Sequence, residues 1–209
     1  MTFRLVAVLA IALVLAFRVA AEEKEFVARV LQLTGSATVV HADGSAALPL
    51  AKDAPILAGD QVATGGQSRL RLRFADGSVL TLGERTELAI DRFQHAGPGL
   101  RDVLLSVPTG IVRALVRAVM NRADFEIRTQ TAVASVRGTD WILQADSNET
   151  SVVVLEGRVT VASVDRRLGP AVVLGQGEGT TVARGAPPTP PKRWGQARVD
   201  SVIAATSLP

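Results

Sequence analysis

Arg69-Leu70-Arg71-Leu72-Arg73-Phe74 alternates charged and apolar residues with a strict period of two. A helix would scatter that pattern around its axis, whereas a strand puts every second side chain on the same side of a sheet. The segment is therefore expected to be a strand with one dry face and one wet face. Asp76-Gly77 follows, and then Ser78-Val79-Leu80-Thr81-Leu82. An Asp-Gly pair tolerates the positive φ of a tight hairpin turn, so the two runs should pair with each other.

The same grammar recurs along the chain. Val39-Val40 precedes Asp43-Gly44, and Ser151 to Leu155 is separated from Arg158-Val159-Thr160-Val161 by Glu156-Gly157. Turn signals at intervals of about 8–12 residues argue for an all-β sandwich, barrel or solenoid. One stretch departs from the pattern. Ile111, Val112, Leu115, Val116, Val119 and Met120 are apolar at helical spacing, with Arg113 and Arg117 on the other face. Periodicity favours a short helix near 110–122, while a strand reading would bury the run on both faces.

The tail changes character again. Pro187-Pro188-Thr189-Pro190-Pro191 must be extended, because each proline fixes φ and removes an amide donor. Residues 186–193 are read as a stiff linker. Beyond it, Trp194, Val199, Val202 and Ile203 suggest a docking tail over 194–209, a short helix laid on the β-body and anchored by Trp194.

At the other end, Met1-Thr2-Phe3-Arg4 precedes thirteen apolar residues from Leu5 to Phe17, followed by Arg18 and Val19-Ala20-Ala21. Those are the n-region, h-region and small-residue site of a secretory signal over 1–21, with cleavage between Ala21 and Glu22. As a helix at ~1.5 Å per residue the run falls short of a ~30 Å hydrocarbon core, so no stable membrane anchor is expected after cleavage. The expected location is the periplasm or the outside of the cell. Removing Arg4 and Arg18 from the 23 basic residues leaves the mature chain almost balanced against its 20 acidic ones. It carries no basic stripe of a nucleic-acid binder. With no cysteine there is no disulfide framework, and burial alone must hold the fold.

Chemistry is hard to place. His41 and His95 are the only histidines, and neither has a second ligand at metal-binding spacing. Both are read as solvated. Serines are plentiful, but no Gly-x-Ser-x-Gly elbow or Ser-x-x-Lys pair occurs. Asp60, Asp76, Asp91 and Asp140 could in principle pair for acid–base work, yet Asp60 and Asp76 adjoin glycines, where Asp most often serves the turn. Gly175-Gln176-Gly177-Glu178-Gly179 lacks the Lys-Ser/Thr ending of a phosphate loop and leads into a β-run. No metal, cofactor or catalytic residue is expected. The arginine ladder Arg69, Arg71, Arg73 is either a solvated face that guards an edge strand or a contact for an anionic partner.

The ordered landmarks resemble the FecR family domain. Gly59-Asp60-Gln61-Val62-Ala63-Thr64-Gly65 is similar to its G-D-x-V-x-T-G segment, and 69–82 to its strand, Asp-Gly-Ser turn and return strand. Phe125-Glu126-Ile127-Arg128-Thr129 followed by Ala132 to Thr139 resembles F-x-I-x-T-x-x-A-x-x-x-V-R-G-T, and Val154 to Val159 its V-x-V-x-x-G-x-V repeat. The resemblance covers a β-domain at 25–185, best over 59–161. It implies an all-β, solenoid- or roll-like stack of short strands, outside the cytoplasm. The family's namesakes relay an iron-uptake signal from an outer-membrane receptor to a cytoplasmic sigma factor. Such regulators have an anti-sigma segment and a full membrane helix ahead of the β-domain. Here the leading apolar run is too short to span, so only the module is expected to carry over.

Two roles follow as expectations: a non-catalytic module that binds or scaffolds an envelope protein or polysaccharide, or an accessory of a transmembrane signalling system with a separate membrane partner. An enzyme acting on envelope polysaccharide is the remaining reading. The motif residues expected to shape the body are Gly59, Asp60, Asp76, Gly77, Val136, Arg137, Gly138 and Thr139. Arg137 is expected to brace the β-body, its planar fork bonded to Asp76, Asp140, Glu156 or backbone carbonyls. The other role open to it is a surface anion contact.

Overall fold

The structure is a computed structural model and describes residues 26–96, 100–118 and 123–208. The expected signal segment, with Ala21 and Glu22, lies outside the described residues.

Two nine-stranded sheets face each other across one apolar core. Sheet A runs, from edge to edge, through β18 (Lys192–Arg193), β17 (Glu178–Ala183), β14 (Glu149–Glu156), β13 (Thr139–Ala145), β10 (Gly110–Val116), β7 (Val79–Leu82), β6 (Arg69–Phe74), β1 (Phe26–Thr34) and β4 (Pro55–Leu57). Sheet B runs through β16 (Val172–Leu174), β15 (Val159–Ser163), β12 (Ala132–Val136), β11 (Ala123–Arg128), β9 (Leu100–Ser106), β8 (Glu87–Ala96), β5 (Gln61–Thr64), β2 (Ala37–Val40) and β3 (Leu48–Pro49). The chain visits the sheets by turns, mostly a hairpin at a time. β6–β7, β8–β9, β11–β12, β13–β14 and β15–β16 are all antiparallel neighbours. The fold is mostly β with one C-terminal helix. Neither sheet closes into a barrel, and their order does not by itself define a solenoid.

Period-two patterning accounts for the core. Leu70, Leu72 and Phe74 of β6 point inward, and Leu80 and Leu82 of β7 lie beside them. Sheet B answers with Leu88, Ile90, Val103, Leu105, Phe125 and Ile127. The hairpin expected around Asp76-Gly77 forms, with Leu72 opposite Leu80. Glu156-Gly157, by contrast, is no hairpin turn. β14 belongs to sheet A and β15 to sheet B, so this glycine marks a crossing between the layers.

The short helix expected near 110–122 is corrected by the structure, since 110–116 is strand β10, paired with β7 and β13. Val112, Ala114 and Val116 face the core with period two. Ile111, on the opposite face, is buried under the C-terminal helix. Burial on both faces let apolar residues fall at helical spacing. Val119 and Met120 lie outside the described residues.

That C-terminal helix, α1 (Gln196–Ala205), docks on the outer face of sheet A. Val199, Val202 and Ile203 meet Ile111, Ile142, Val153 and Leu155, with Trp194 packed in the same cluster. This explains why five consecutive residues of β14, Thr150 to Val154, are buried. The proline segment is pinned to β17 on the way. The Thr189 amide donates to the Thr181 carbonyl at 2.9 Å, and Thr180 Oγ1 to the Thr189 carbonyl at 2.6 Å. Among the described residues no helix is long and apolar enough to cross a membrane.

Candidate functional site

Most of the motif residues are spent inside the body. The Asp60 side chain is out of solvent, its Oδ2 accepting from the Leu57 amide at 2.8 Å, while the Gly59 amide donates to the Ile90 carbonyl at 2.8 Å. Oδ1 of Asp60 lies 2.9 Å from Nδ1 of His41. His41 is thus half-buried and held by a carboxylate, where the sequence suggested a solvated ring. His95 is exposed, as expected. No group of three metal-ligating side chains occurs among the described residues.

The Asp76-Gly77-Ser78 turn is the centre of a second network. Asp76 accepts from the Ser78 amide at 2.9 Å and the Ser78 hydroxyl at 2.8 Å. It also accepts from Arg101, whose Nη1 reaches across from β9 in sheet B. The same nitrogen donates to the Arg117 carbonyl at 2.8 Å, and the Phe125 ring centroid lies 5.5 Å from the guanidinium carbon. Sequence reading missed Arg101 altogether. Its phase was the available signal, because Arg101, Val103 and Leu105 alternate on one strand face and the last two are plainly core.

Arg137 does not fill the bracing role expected of it. Its side chain is exposed, and among the described residues it has neither an ion pair nor a hydrogen bond to Asp76, Asp140 or Glu156. Strand phase gives the reason: Ala132, Ala134 and Val136 face the core, so Arg137 falls on the outer side. Its neighbours do shape the body. Gly138 takes φ +62° in the crossing from β12 to β13, and a Cβ there would stand 2.6 Å from the Ala118 Cβ. Gly157, at φ +88°, makes the next crossing, where a Cβ would stand 2.8 Å from the Gly138 carbonyl oxygen. Thr139 Oγ1 ties these crossings by donating to the Arg158 carbonyl at 3.0 Å. Only glycine fits a left-handed backbone this close to its neighbours.

Buried threonines fasten other crossings. Thr64 Oγ1 donates to the Gly83 carbonyl at 2.6 Å and accepts the Thr86 amide at 2.9 Å. Thr150 Oγ1 sits 2.7 Å from the hydroxyls of both Thr129 and Thr131. No motif marks these hydroxyls out as a set.

The arginine ladder is divided by the C-terminal helix. Arg69 donates from Nε to the Ala205 carbonyl at 3.1 Å and from Nη2 to the Ala204 carbonyl at 3.3 Å. It therefore caps the last turn of α1, where carbonyls lack intrahelical donors. Arg71 and Arg73 stay on the open part of the face. Arg71 Nε lies 3.5 Å from Thr81 Oγ1, a long contact at most, and Arg73 is exposed. Across β7, Arg113 grips Asp140 with two parallel bonds of 2.9 and 2.6 Å. The hydrogen bond from Asp140 holds the Arg113 guanidinium above its ordinary range, against a smaller opposing effect of burial. These side chains border a hollow of about 440 Å³ on sheet A, lined also by Thr206, Ser207 and Leu208.

The arrangement offers cationic donors and buried structural bonds. The family described as FecR protein matches residues 60–160. Over those residues the chain is similar to a FecR domain. The match begins at Asp60 and ends in β15, so it takes in the Asp76 turn and the Gly138 and Gly157 crossings. Two crystal structures from Parabacteroides distasonis ATCC 8503, each described as a candidate anti-sigma factor, are similar in fold. Their TM-scores are 0.56 and 0.54, at 18% sequence identity over 68% of this chain. The chain spans 63% and 64% of the lengths of those two proteins. At that identity the likeness is one of fold. No curated protein matches the chain.

Proposed function

We propose that this FecR-domain protein works outside the cytoplasm as a non-catalytic accessory of a transmembrane signalling system, binding a separate membrane partner. One observation carries the reading. The residues that mark the FecR domain, Asp60, Asp76, Gly138 and Thr139, are consumed by internal bonds and close packing. What the motif builds is a rigid scaffold, and recognition falls to the open faces of the two sheets. The description of the two similar structures as candidate anti-sigma factors favours a signalling role over scaffolding alone. The apolar run at 5–17 and Ala21-Glu22 support export with cleavage.

Crosslinking in intact cells tests this, combined with N-terminal sequencing of the exported protein. The mature chain should begin at or near Glu22 and be joined to the extracytoplasmic part of a membrane signalling protein. A cytoplasmic location, or turnover of envelope polysaccharide by the purified protein, would overturn the proposal.

A further inference from the structure

The open half of sheet A's outer face has the shape of a trough one chain wide. Its floor is β7, whose outward residues Val79 and Thr81 are short. One wall is β6, with Arg71 and Arg73, and the other is β10, with Arg113 and Leu115. β7 lies between them in the sheet, with Arg71 opposite Thr81 and Thr81 opposite Arg113. The walls therefore stand two strand spacings apart, about 10 Å, which leaves room for a single extended chain. The segment 206–208, just beyond α1, also lines it.

The charge in the trough is one-sided. Among the described residues three arginines line it against one carboxylate, Asp140, which is already taken by Arg113. Arg71 and Arg73 project on the same face about 7 Å apart, the repeat of alternate residues in any extended chain. Leu115, 53% exposed, adds an apolar contact on the β10 wall, across Val79 from Arg73.

We propose that this trough binds an extended acidic segment of a partner polypeptide, with carboxylates on Arg71 and Arg73 and an apolar side chain against Leu115. This rests on the binding role proposed above and names where it is exercised. A recessed floor is poorly shaped for a flat lipid surface. No aromatic side chain lines the trough to stack on a sugar ring. Acidic side chains at alternate positions match the arginine repeat, because a strand-like ligand lying edge-on in the trough turns every second side chain to the β6 wall and the others to the β10 wall with Leu115.

The experiment is fluorescence anisotropy of the purified protein with a fluorescein-labelled peptide of alternating glutamate and valine. A glutamine-for-glutamate peptide serves as comparator. Polygalacturonate and phosphatidylglycerol vesicles are titrated separately. Saturable binding is expected for the acidic peptide alone, falling with added salt. Arg71→Ala with Arg73→Ala should weaken it about tenfold, as loss of charge-assisted bonds does. Arg137→Ala with Arg158→Ala removes equal charge from exposed sites elsewhere and should leave it unchanged. Both double variants should keep the parent's urea midpoint. Equal weakening by the two pairs, no saturable peptide binding, or binding of the polysaccharide or vesicles in its place would overturn the proposal. The signalling role is read separately. Crosslinking that persists in the Arg71/Arg73 variant removes the trough while leaving that role standing.

Discussion

Arg101 on one sheet and Asp76 on the other meet at 3.0 Å, with neither side chain open to solvent. The pair joins the two layers through the core at the Asp-Gly-Ser turn, and the Ser78 hydroxyl and Arg117 carbonyl extend it. Burying two ions costs several kcal/mol, so the pair need not add net stability over an apolar pair of similar size. Its clearer consequence is positional. A guanidinium with these acceptors fixes where the β6–β7 turn sits over β9, and the trough wall on β6 is set by the same hairpin.

Breaking one partner should therefore be costly. Arg101→Met leaves Asp76 buried without its cation, and a loss of about 3–5 kcal/mol is expected in urea unfolding. Arg101→Met with Asp76→Asn should lose less than the sum of the single changes, because no lone charge remains in the core. Arg137→Ala is the matched control and should stay within about ±0.5 kcal/mol, since its side chain is exposed. A loss from Arg137→Ala as large as that from Arg101→Met would contradict this assignment.

Gly138→Ala should destabilise by about 1–3 kcal/mol or more. The change holds a non-glycine residue at positive φ and drives its Cβ into Ala118. Gly185→Ala supplies a comparison, since that glycine also has positive φ, at +71°, but nothing within 4 Å of the place its Cβ would take. Backbone strain alone should act at Gly185, with close contact added at Gly138. Equal midpoints for the two variants would show that packing at the crossing is unimportant.

Thr150→Val replaces a buried hydroxyl bonded to two others with a methyl group of similar shape. It strands the Thr131 hydroxyl, while that of Thr129 keeps the Ala132 carbonyl, and the expected cost is about 1–3 kcal/mol. Differential scanning calorimetry should show a lower Tm. Replacing Thr131 and Thr150 together by valine should recover part of the loss, because the Thr129 hydroxyl keeps its bonds to the Thr131 and Ala132 amides and no lone hydroxyl is then left beside it.

The parts of this fold that can be read from the sequence are those where one face of a strand is wet. At 69–82 the alternation of arginine and leucine marks both strand and hairpin, because solvent on one side forces polar residues into every second position. β10 imitates a helix because α1 covers its outer face at Ile111, and a strand buried on both sides loses its period. The helix itself is visible from Val199, Val202 and Ile203. Its capping by Arg69 is not, because the contact joins residues far apart in sequence. Arg137 stands out as the charge within a family motif, whereas the buried cation is Arg101, marked only by its phase with Val103 and Leu105. Motif membership points to residues that build the crossings. It carries no information on which open face receives a partner.

The docking of α1 gives the last prediction. Val202 is buried against Ile111, Ile142 and Val153, and the Arg198 guanidinium carbon lies 3.5 Å from the centroid of the Trp194 ring at the start of the helix. Val202→Asp puts a carboxylate into that apolar cluster with no cation in it, so the helix should leave sheet A while the core between the sheets holds. Hydrogen exchange resolved by mass spectrometry should then show protection lost over 196–205 and kept in β6, β7 and β9. Release also frees Arg69 from the Ala204 and Ala205 carbonyls, returning the third arginine of the ladder to the open face. Acidic-peptide binding should persist in this variant, because Arg71 and Arg73 stay in place on β6. Uniform loss of protection across both sheets would instead make the helix part of the core's own stability.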